Sequence, residues 1–516
     1  MDITTVFGTV VGGSSPFEGT DNSIHSMKVE LTVSQPIIDI AKTLQNKGFS
    51  AYLVGGCVRD LLMNRKPHDW DLTTNAKPEE IVAIFSKTVY ENSFGTVTVI
   101  NETAEDPAFR NIEITPFRKE GGYSDFRHPD EVTFSDRLED DLSRRDFTIN
   151  ALAYDPLENA LTDNFGGLKD IKDRVIRAVG DANERFNEDA LRIMRAVRFS
   201  AQLDFEIEDQ TFYSAKQNVA LLENVSCERI RDEFTKLIMS AHPADGLVSC
   251  EKIGLLPYIM PELVEMIGVE QNRSHIYTVW EHSYRALQHG ADREWPLHVR
   301  LSALLHDVGK PKSRRFSPEI NDNTFYGHEV VGERMAKKIL TDLKYPNQLI
   351  ETVVKLVRNH MFFSDPDQIS MSAVRRIIAN VGEDLVWDLM KLRACDRIGM
   401  GRPKEDPYRL RQYEAMIEEA MRAPTSVKML KINGNDLMTV LHEKPGPKIG
   451  FILNALLEEV LEDPELNTIE YLKKRAGELI KLPLEEVKAL AEKGKEKKEE
   501  VEAEELKKIH EKHRVK

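Results

Sequence analysis

Residues 52–74 read YLVGGCVRDLLMNRKPHDWDLTT, and this stretch decides the fold of the N-terminal part of the chain. Its apolar start predicts a short buried strand. The Gly55-Gly56 pair permits a tight turn that brings the backbone close to a ligand, and the residues from Val58 onward predict a helix. Arg59 would then lie beside a space of phosphate size. A strand, turn and helix in this order can hold an anion on backbone amides.

The second half of the same stretch carries two carboxylates. Asp69 and Asp71 are two residues apart, and side chains in a strand repeat every second residue, so both would lie on one face. Mg²⁺ usually takes one or two carboxylates and leaves its other positions to water and substrate phosphates. A glycine pair or an Asp-x-Asp alone is more often a simple turn or a solvated strand end. Together and in this order, they predict a two-metal nucleotidyl-transfer site.

Length and composition limit the class of protein. At 516 residues, with 41% hydrophobic and 30% charged residues, the chain is typical of a soluble protein with several domains. The sequence lacks both an apolar run of membrane-span length and a signal-peptide pattern, so we expect a cytoplasmic protein without a membrane partner. The four cysteines lack the CxxC spacing of a zinc knuckle, so we expect them to be reduced thiols.

The net charge bears on nucleic-acid binding. A formal charge of -16 disfavours a general nucleic-acid binder, because phosphate contacts need Lys and Arg. A local basic cleft is still compatible with this charge.

A third carboxylate lies on another predicted strand. Residues 111–115 alternate, and Glu113 points away from the face that carries Ile112 and Ile114. Alone, such a glutamate is typical of a solvated position. Further on, residues 142–155 read LSRRDFTINALAYD, in which paired arginines precede a mixed apolar segment. An ordinary helix start is the simplest interpretation of that segment.

Residues 186–202, FNEDALRIMRAVRFSAQ, predict one continuous helix. Asp189 and Arg192 are three residues apart and would be neighbours on its surface. Cytosine and adenine both offer an exocyclic amine beside a ring-nitrogen acceptor, so an Asp acceptor beside an Arg donor would accept both and reject uracil and guanine. Arg195 and Arg198 follow in steps of three. On an ideal helix, each step of three residues leaves the side chain about 60° short of a full turn. After three such steps, Arg198 would point away from Asp189.

As a set, the motifs GGCVRD, HDWDLTT, RRDFTINALAYD and EDALRIMRAVR resemble the bacterial tRNA nucleotidyltransferase (CCA-adding enzyme) and poly(A) polymerase family. The resemblance implies an α+β fold, with a polymerase β-like head followed by a mostly helical neck, HD domain, body and tail. It also implies addition of CCA to the 3′ end of tRNA from CTP and ATP without a nucleic-acid template. One departure is His68, where many relatives carry a lysine or glycine.

The resemblance also implies roles for particular residues. Asp69, Asp71 and Glu113 would be catalytic, with Mg²⁺ on the two aspartates and Glu113 helping to deprotonate the attacking 3′-hydroxyl. The residues implied in nucleotide binding are Gly55, Gly56, Arg59, Arg145, Asp189, Arg192, Arg195 and Arg198. The helix expected at residues 227–238 resembles a family element that braces the neck, and we expect its charges to be structural.

A second set of possible ligands lies on separate predicted helices. It contains His282, His306, Asp307 and Asp396, with His328 and His360 as further members. One histidine on an apolar face is usually a satisfied core residue. Several histidines and carboxylates with an adjacent His-Asp step predict a site for a divalent metal of unknown identity. Their order resembles the HD phosphohydrolase domain, in which the last two histidines can add a second metal. A degenerate structural domain is the alternative.

The expected organisation has six parts. They are a disordered extension (1–30), a nucleotidyltransferase head (31–175), a neck with the nucleotide-selecting helix (176–260), an HD domain (261–425), a helical body and tail for the tRNA elbow (426–480) and a charged C-terminal tail (481–516). Lys448 in the body is a candidate phosphate contact. The alternatives are an A-adding or CC-adding partial enzyme, a poly(A) polymerase, and a protein that is mainly an HD-type phosphohydrolase in RNA repair. The sequence leaves the oligomeric state open.

Overall fold

The computed structural model describes residues 26–90, 95–102, 104–122, 131–272, 276–362, 369–421, 427, 430–441 and 445–515. Most of the expected N-terminal extension, residues 1–25, lies outside the described residues. The chain divides into two compact units, Met1–Arg358 with Cys395–Arg402, and Asn359–Ala394 with Pro403–Lys516.

The first unit begins with a head built on a mixed sheet. The strands of the head are β1 Ser26–Lys28, β2 Ala51–Val54, β3 Asp71–Thr74, β4 Thr88–Tyr90, β5 Val97–Ile100, β6 Asn111–Pro116, β7 Arg118–Gly121, β8 Glu131–Phe134, β9 Leu152–Asp155 and β10 Ala160–Asp163. The main sheet has the order β1-β10-β9-β2-β3-β6-β5-β4, and β7 pairs with β8 separately. β3 and β6 are parallel, whereas β2 is antiparallel to β3. The sheet thus places the two strands with candidate carboxylates side by side.

The start of the chain shows one correction. Disorder was expected up to residue 30, but Ser26–Lys28 forms β1 and pairs antiparallel with β10. The backbone groups of this short segment form hydrogen bonds with the edge of the sheet. The polar sequence of the segment does not predict this pairing.

Helices cover the head sheet. They are α1 Gln35–Asn46, α2 Gly56–Leu62, α3 Pro78–Ile84, α4 Leu138–Ser143 and α5 Gly167–Asp173. On α1 the residues Ile37, Ile40, Ala41 and Leu44 are buried, as their helical spacing predicts. They share a core with buried sheet residues such as Leu53. Burial of this apolar stripe is what holds the helix against the sheet.

The neck and the helices that follow it continue the first unit. Their elements are β11 Val175–Ile176, α6 Ala182–Glu188, α7 Leu191–Leu203, β12 Glu206–Ile207, α8 Asp209–Asn218, α9 Cys227–Ile238, α10 Pro243–Ile253, α11 Leu256–Ile259, α12 Pro261–Val264, α13 Val279–Asp292, α14 Leu297–Leu305, α15 Lys310–Ser313, β13 Arg315–Ser317, β14 Asp322–Thr324 and α16 His328–Asp342. Phe186 and Phe234 from the neck share one core with Leu301 and Leu304 from α14. The neck and the later helices are therefore packed together rather than joined by a linker.

The remaining helices are α17 Asn347–Asn359, α18 Met371–Val381, α19 Val386–Gly399, α20 Tyr408–Met421, α21 Gly434–Leu441, α22 Pro447–Glu462, α23 Ile469–Leu479 and α24 Leu484–Lys512. The second unit has a core of its own that includes Leu456, Leu472 and Val487. The charged C-terminal segment is one helix that is anchored in this core by its first turns.

Candidate active site

The turn after β2 is shaped by a glycine that no other residue replaces easily. Gly55 has φ +74, and a Cβ at this position would lie 3.2 Å from Nη1 of Arg145 and 3.6 Å from Oδ2 of Asp71. Glycine is the residue that tolerates positive φ without a steric penalty. The predicted strand, turn and helix are present, and the turn packs directly against an arginine and a carboxylate.

Asp71 begins β3 and Asp69 lies in a bend before it, so only one of the two aspartates expected on a strand lies on one. Trp70 is buried at 3% exposure and lies 5.9 Å from Phe109 between ring centroids in a tilted arrangement, while Asp69 is exposed. Asp71 is the first residue of β3 and is paired in register with Glu113 on the parallel strand β6. Residues in register on neighbouring strands lie on the same face of the sheet. The two carboxylates therefore sit next to each other.

The neighbouring carboxylates affect the pKa of Asp71. Burial, together with the charges of Glu113 and Asp69, raises the pKa of Asp71 to about 6 against the opposing charge of Arg145. Like charges held together in this way favour a bound cation. Among the described residues, however, the three carboxylates do not form a set whose ligand atoms all lie within 4.8 Å of one another. The donor set suits a divalent cation, although its oxygens are more widely spaced than in a closed metal cage.

A cavity of about 570 Å³ opens beside this sheet edge. It is lined by Gly55, Gly56, Cys57, Arg59, Asp60, His68, Asp69, Asp71, Arg144, Arg145, Asp146, Asn150, Asp189, Leu191, Arg192, Arg195, Arg198, Phe199 and Arg229. All eight residues expected to bind the nucleotide line this cavity together with two of the expected catalytic carboxylates. Seven of the lining residues are arginines, so the acidic chain does contain a local basic cleft.

Two arginines on the head side of the cavity are held by hydrogen bonds. Arg59 is buried, forms an ion pair with Asp60 at 2.7 Å and donates to Oδ1 of Asn150 at 2.8 Å. Arg145 donates to Asp141 at 2.9 Å. A guanidinium that is fixed in this way can bind phosphate oxygens without first losing its own freedom.

The predicted helix over 186–202 is wrong in one respect. α6 ends at Glu188, Asp189 has extended backbone with φ -141 and ψ 105, and α7 starts at Leu191. The guanidinium of Arg192 donates to Glu188 at 2.5 Å and to the carbonyl oxygen of Arg144 at 2.9 Å. The predicted side-by-side position of Asp189 and Arg192 on one helical face is therefore incorrect.

The same break corrects the expectation for Arg198. On an ideal helix Arg198 would point away from Asp189, yet both residues line the cavity. The helical angle between them does not apply, because Asp189 lies outside α7. Arg198 donates to Glu233 on α9 at 2.6 Å. Its guanidinium also lies 3.9 Å from the ring centroid of Phe199, a distance typical of a cation–π contact.

Arg195 is held by a buried carboxylate. It donates to Oδ2 of Asp146 at 2.8 Å through Nε and at 2.5 Å through Nη2. Burial alone would raise the pKa of Asp146, but the charge and hydrogen bonds of Arg195 lower that pKa to about 2. Asp146 also accepts from the side-chain amide of Asn150 at 3.1 Å. Head and neck are thereby joined by a chain of charged and polar groups along the wall of the cavity.

Nine of the lining residues were not expected in the site, and they include Asp146, Asn150, Phe199 and Arg229. The first two lie inside a motif that was quoted, so their position was a usable signal. Arg229 was not detectable from spacing, since its partner Asp189 is 40 residues away. Arg229 lies on the helix 227–238, whose charges were expected to be structural rather than catalytic, and it lines the cavity.

The second predicted site is a buried cluster in the first unit. His282 lies on α13, the His306-Asp307 pair directly follows α14, and Asp396 lies on α19. Nε2 of His282 is 2.9 Å from Nε2 of His306, 3.2 Å from Oδ2 of Asp307 and 3.4 Å from Oδ1 of Asp396. His328, at the start of α16, has its Nε2 3.3 Å from Oδ1 of Asp307. The structure brings these five expected residues together.

His360 belongs to the second unit, directly after α17, and is buried at 3% exposure. Its role in binding a second metal stays a prediction.

A close approach of two helices makes the cluster possible. A Cβ on Gly399 would lie 2.8 Å from the carbonyl oxygen of His282, so glycine lets α19 approach α13 closely enough for Asp396 to reach the histidine. The cluster has the mixed nitrogen and oxygen donors that suit a divalent transition metal. The Nδ1–H of His306 donates to the carbonyl oxygen of Ala303 at 2.8 Å, which fixes the orientation of its ring.

Opposite charges within the cluster shift the pKa values of Asp307 and His282. Burial alone would raise the pKa of Asp307, but His306 and Lys310 hold it well below its usual range. Burial would lower the pKa of His282, whereas Asp307 and Asp396 raise it to about 9. Lys310 was missed in the sequence, although it is only three residues after Asp307. Its Nζ lies 2.6 Å from Oδ2 of Asp307.

Lys448 has a different environment from the one expected. Its Nζ donates to the carbonyl oxygens of Ile480 at 2.7 Å and Leu482 at 3.1 Å. These carbonyls follow the end of α23, so the lysine satisfies acceptors of a helix C-terminus. The expectation that it is available to contact a tRNA phosphate is not supported by this geometry.

Comparison with known proteins places these sites in a family. Three family models match the chain, namely the poly A polymerase head domain over 51–177, the probable RNA and SrmB-binding site of polymerase A over 204–267 and the HD domain over 274–398. The CCA-adding enzyme of Limosilactobacillus fermentum is 34% identical over 467 residues, which cover 89% of this chain and 99% of that enzyme. The chain belongs to the family of CCA-adding enzymes.

Further relatives agree with this membership. The CCA-adding enzyme of Lactobacillus helveticus is 50% identical over 204 residues, which cover 39% of this chain and 49% of that enzyme. The crystal structure of the Bacillus stearothermophilus CCA-adding enzyme in complex with CTP has a TM-score of 0.57 and 26% identity, and covers 86% of this chain and 98% of that one. The predicted family, the α+β fold and the assignment as a nucleotidyltransferase are thereby confirmed. In the described part of this CCA-adding family member, the helices are too short or too polar to cross a membrane.

Proposed function

We propose that the chain adds C, C and A to the 3′ end of tRNA in the cytoplasm, using CTP and ATP, and that Asp69, Asp71 and Glu113 are its catalytic carboxylates. The observation that carries this proposal is the in-register pair of Asp71 and Glu113 beside a cavity lined by seven arginines. The relative from Bacillus stearothermophilus, whose structure is in complex with CTP, supports the choice of nucleotide.

The residues of the head divide the work by position. Asp69 and Asp71 would hold Mg²⁺, which when bound lowers the pKa of the primer 3′-hydroxyl and neutralises the leaving pyrophosphate. Glu113, next to Asp71, would accept the proton of the attacking hydroxyl. Arg59 and Arg145 border the glycine turn and would bind the triphosphate on its way to the carboxylates.

The residues on the neck side of the cavity would read the base. The carboxylate of Asp189 would accept from the exocyclic amine that cytosine and adenine share, and Arg192 would donate to the neighbouring ring nitrogen. Arg195 and Arg198 lie further along the same wall and would contact the nucleotide over Phe199. Selection would then depend on the protein wall and not on a template strand.

One experiment distinguishes CCA addition from the alternative functions. Purified protein is incubated with tRNA lacking CCA and with tRNA ending in CC, with CTP, ATP or both, and products are resolved on a sequencing gel. A full CCA-adding enzyme extends the first substrate by three nucleotides and the second by one. Extension of only one substrate identifies a CC-adding or A-adding enzyme. A ladder of many adenosines identifies a poly(A) polymerase and contradicts the proposal.

A second function is favoured by the buried HD cluster. We propose that His282, His306, Asp307 and Asp396 bind a divalent metal and that this site removes terminal or cyclic phosphates from damaged RNA ends. Four convergent donors at 0 to 7% exposure are hard to explain as ordinary core residues. Metal analysis of the Asp307→Ala variant tests the binding site. Metal content equal to that of the wild type counts against it.

The domain boundaries and the role of the second unit are also proposals. A head over 31–175, a neck over 176–260 and an HD domain over 261–425 would carry the two sites. The body and tail at 426–480 would hold the tRNA elbow, which leaves the 3′ end to the head.

A further inference from the structure

Arg229 and Asp189 form an ion pair inside the nucleotide cavity. Nη2 of Arg229 lies 2.8 Å from Oδ2 of Asp189, and the two side chains are 21% and 19% exposed. Both residues line the cavity. The acceptor proposed to read the base is therefore already held by a cation from a different element, α9.

Two hydrogen bonds orient the side chain of Asp189. The residue lies between two helices in extended conformation, and its Oδ1 accepts from the backbone amide of Leu191 at 3.1 Å. Arg229 holds the second oxygen. A carboxylate oxygen has two lone pairs, so each oxygen can still accept one further hydrogen bond. The amide and the guanidinium together set the direction in which those lone pairs face the cavity.

The helix that carries Arg229 is firmly anchored. Ile230, Phe234 and Leu237 of α9 are buried in the core that the neck shares with α14. Glu233, one turn after Arg229, accepts from Arg198 at 2.6 Å. At the other end of α9, Arg300 donates to the carbonyl oxygens of Ile238 and Ser240, each at 3.1 Å. Core packing thus fixes the helix from which Arg229 reaches Asp189.

We infer that Arg229 is a positioning residue that determines base selection through Asp189. This inference rests on the proposed function, because it needs Asp189 to accept from the exocyclic amine. Arg229 keeps the carboxylate aimed into the cavity, so that uracil or guanine would meet an acceptor with their own carbonyl oxygen. Without Arg229 the Asp189 side chain can turn towards Arg192, three residues along. The repulsive element is then lost, and the arginine alone would accept a carbonyl.

The test compares Arg229→Ala, Arg229→Lys and a matched control, Arg231→Ala. Arg231 lies on the same helix, pairs with Asp232 at 2.7 Å and donates to the carbonyl oxygen of Lys344 at 2.6 Å, outside the cavity lining. Equilibrium binding of CTP, ATP, UTP and GTP to the full chain with Mg²⁺ gives the selectivity ratio without turnover. Addition of C and U to tRNA gives kcat and KM for the same pairs.

In Arg229→Ala, the ratio of CTP to UTP binding should fall by about tenfold or more, the effect of one lost hydrogen-bonding discrimination. Arg229→Lys, which keeps the charge but not the fork geometry, should restore part of the ratio. Arg231→Ala should keep the wild-type ratio. A purely structural role would lower binding or kcat for all four nucleotides in parallel and leave the ratio unchanged, and this result would overturn the inference.

The same data separate this inference from the proposed function. If the wild type prefers CTP and ATP in binding but does not extend tRNA, the proposed function fails while the ratio in Arg229→Ala still decides the inference. If the wild type binds UTP as well as CTP, selection at Asp189 does not exist and the inference is wrong.

Discussion

The nucleotide cavity and the HD cluster are built on opposite principles. The cavity is a wide space of about 570 Å³ whose charged residues come from the head, α7 and α9, and its carboxylate Asp69 is exposed. The HD cluster holds His282, His306 and Asp307 at 0 to 1% exposure, with donor atoms within 3.3 Å of one another. A site that must admit a triphosphate and an RNA end is open, whereas a site that must hold one small ion can be closed and preorganised. Four predictions test this difference.

The largest effect is expected from Asp71→Asn. Loss of the central carboxylate should reduce nucleotide addition by roughly 10²–10³-fold, the cost typical of removing one group that stabilises charge in the transition state. Metal content of the HD cluster should not change, because the two sites share no lining residue. The measurement is the rate of CMP incorporation into tRNA, beside metal analysis. The control is Asp39→Asn on the exposed face of α1. Activity of Asp71→Asn near that of the control would remove the proposed catalytic role.

The opposite result, loss of bound metal with retained nucleotide addition, is expected from His306→Ala. Bound divalent metal should be lost, since a ligand with no solvent exposure cannot be replaced easily by water. Nucleotide addition should stay within about twofold of the wild type, as for independent sites. His298→Ala on the same helix α14 serves as the control. If addition falls together with metal content, the two regions are coupled and the comparison is too simple.

The glycine turn provides a test of how closely the cavity is packed. Gly55→Ala places a methyl group at positive φ and against Arg145, so both strain of about 1–3 kcal/mol and a displaced guanidinium are expected. Gly48→Ala has positive φ as well, with open space around the position, and isolates the strain. The KM for CTP should rise in Gly55→Ala beyond any change in Gly48→Ala. Equal KM values in the two variants would show that the added methyl group does not displace Arg145.

The smallest effect concerns the reactivity of buried thiols, of which Cys57 lines the cavity. Burial, aided by the charge of Asp71, raises the pKa of Cys57 to about 12, and burial raises that of Cys250 to about 12. Both thiols are therefore protonated at pH 8, while Cys227 is exposed. A thiol reagent at pH 8 should label Cys227 rapidly and the other two only after denaturation. Rapid labelling of native Cys57 would show that solvent reaches the back of the cavity.

Several features of the cavity could be read from neighbouring residues in the sequence. The turn at Gly55 and the alternation around Trp70 follow from contacts within a few residues, where the pattern of apolar and polar side chains is decisive. The face of Glu113 was predictable for the same reason. The break at Asp189 was not, because strong helix formers surround it and helix propensity gives no sign that α6 ends at Glu188.

What the sequence alone determined is the inventory of chemistry, together with the local elements that present it. The glycine turn, the carboxylates of β3 and β6 and the His-Asp step were all visible as motifs. The tertiary structure alone decided which charges meet. Asn150 reaches Arg59 across 91 positions and Arg229 reaches Asp189 across 40, distances at which spacing carries no information. Such pairs form because core packing brings their helices and strands together, and that packing depends on the whole chain.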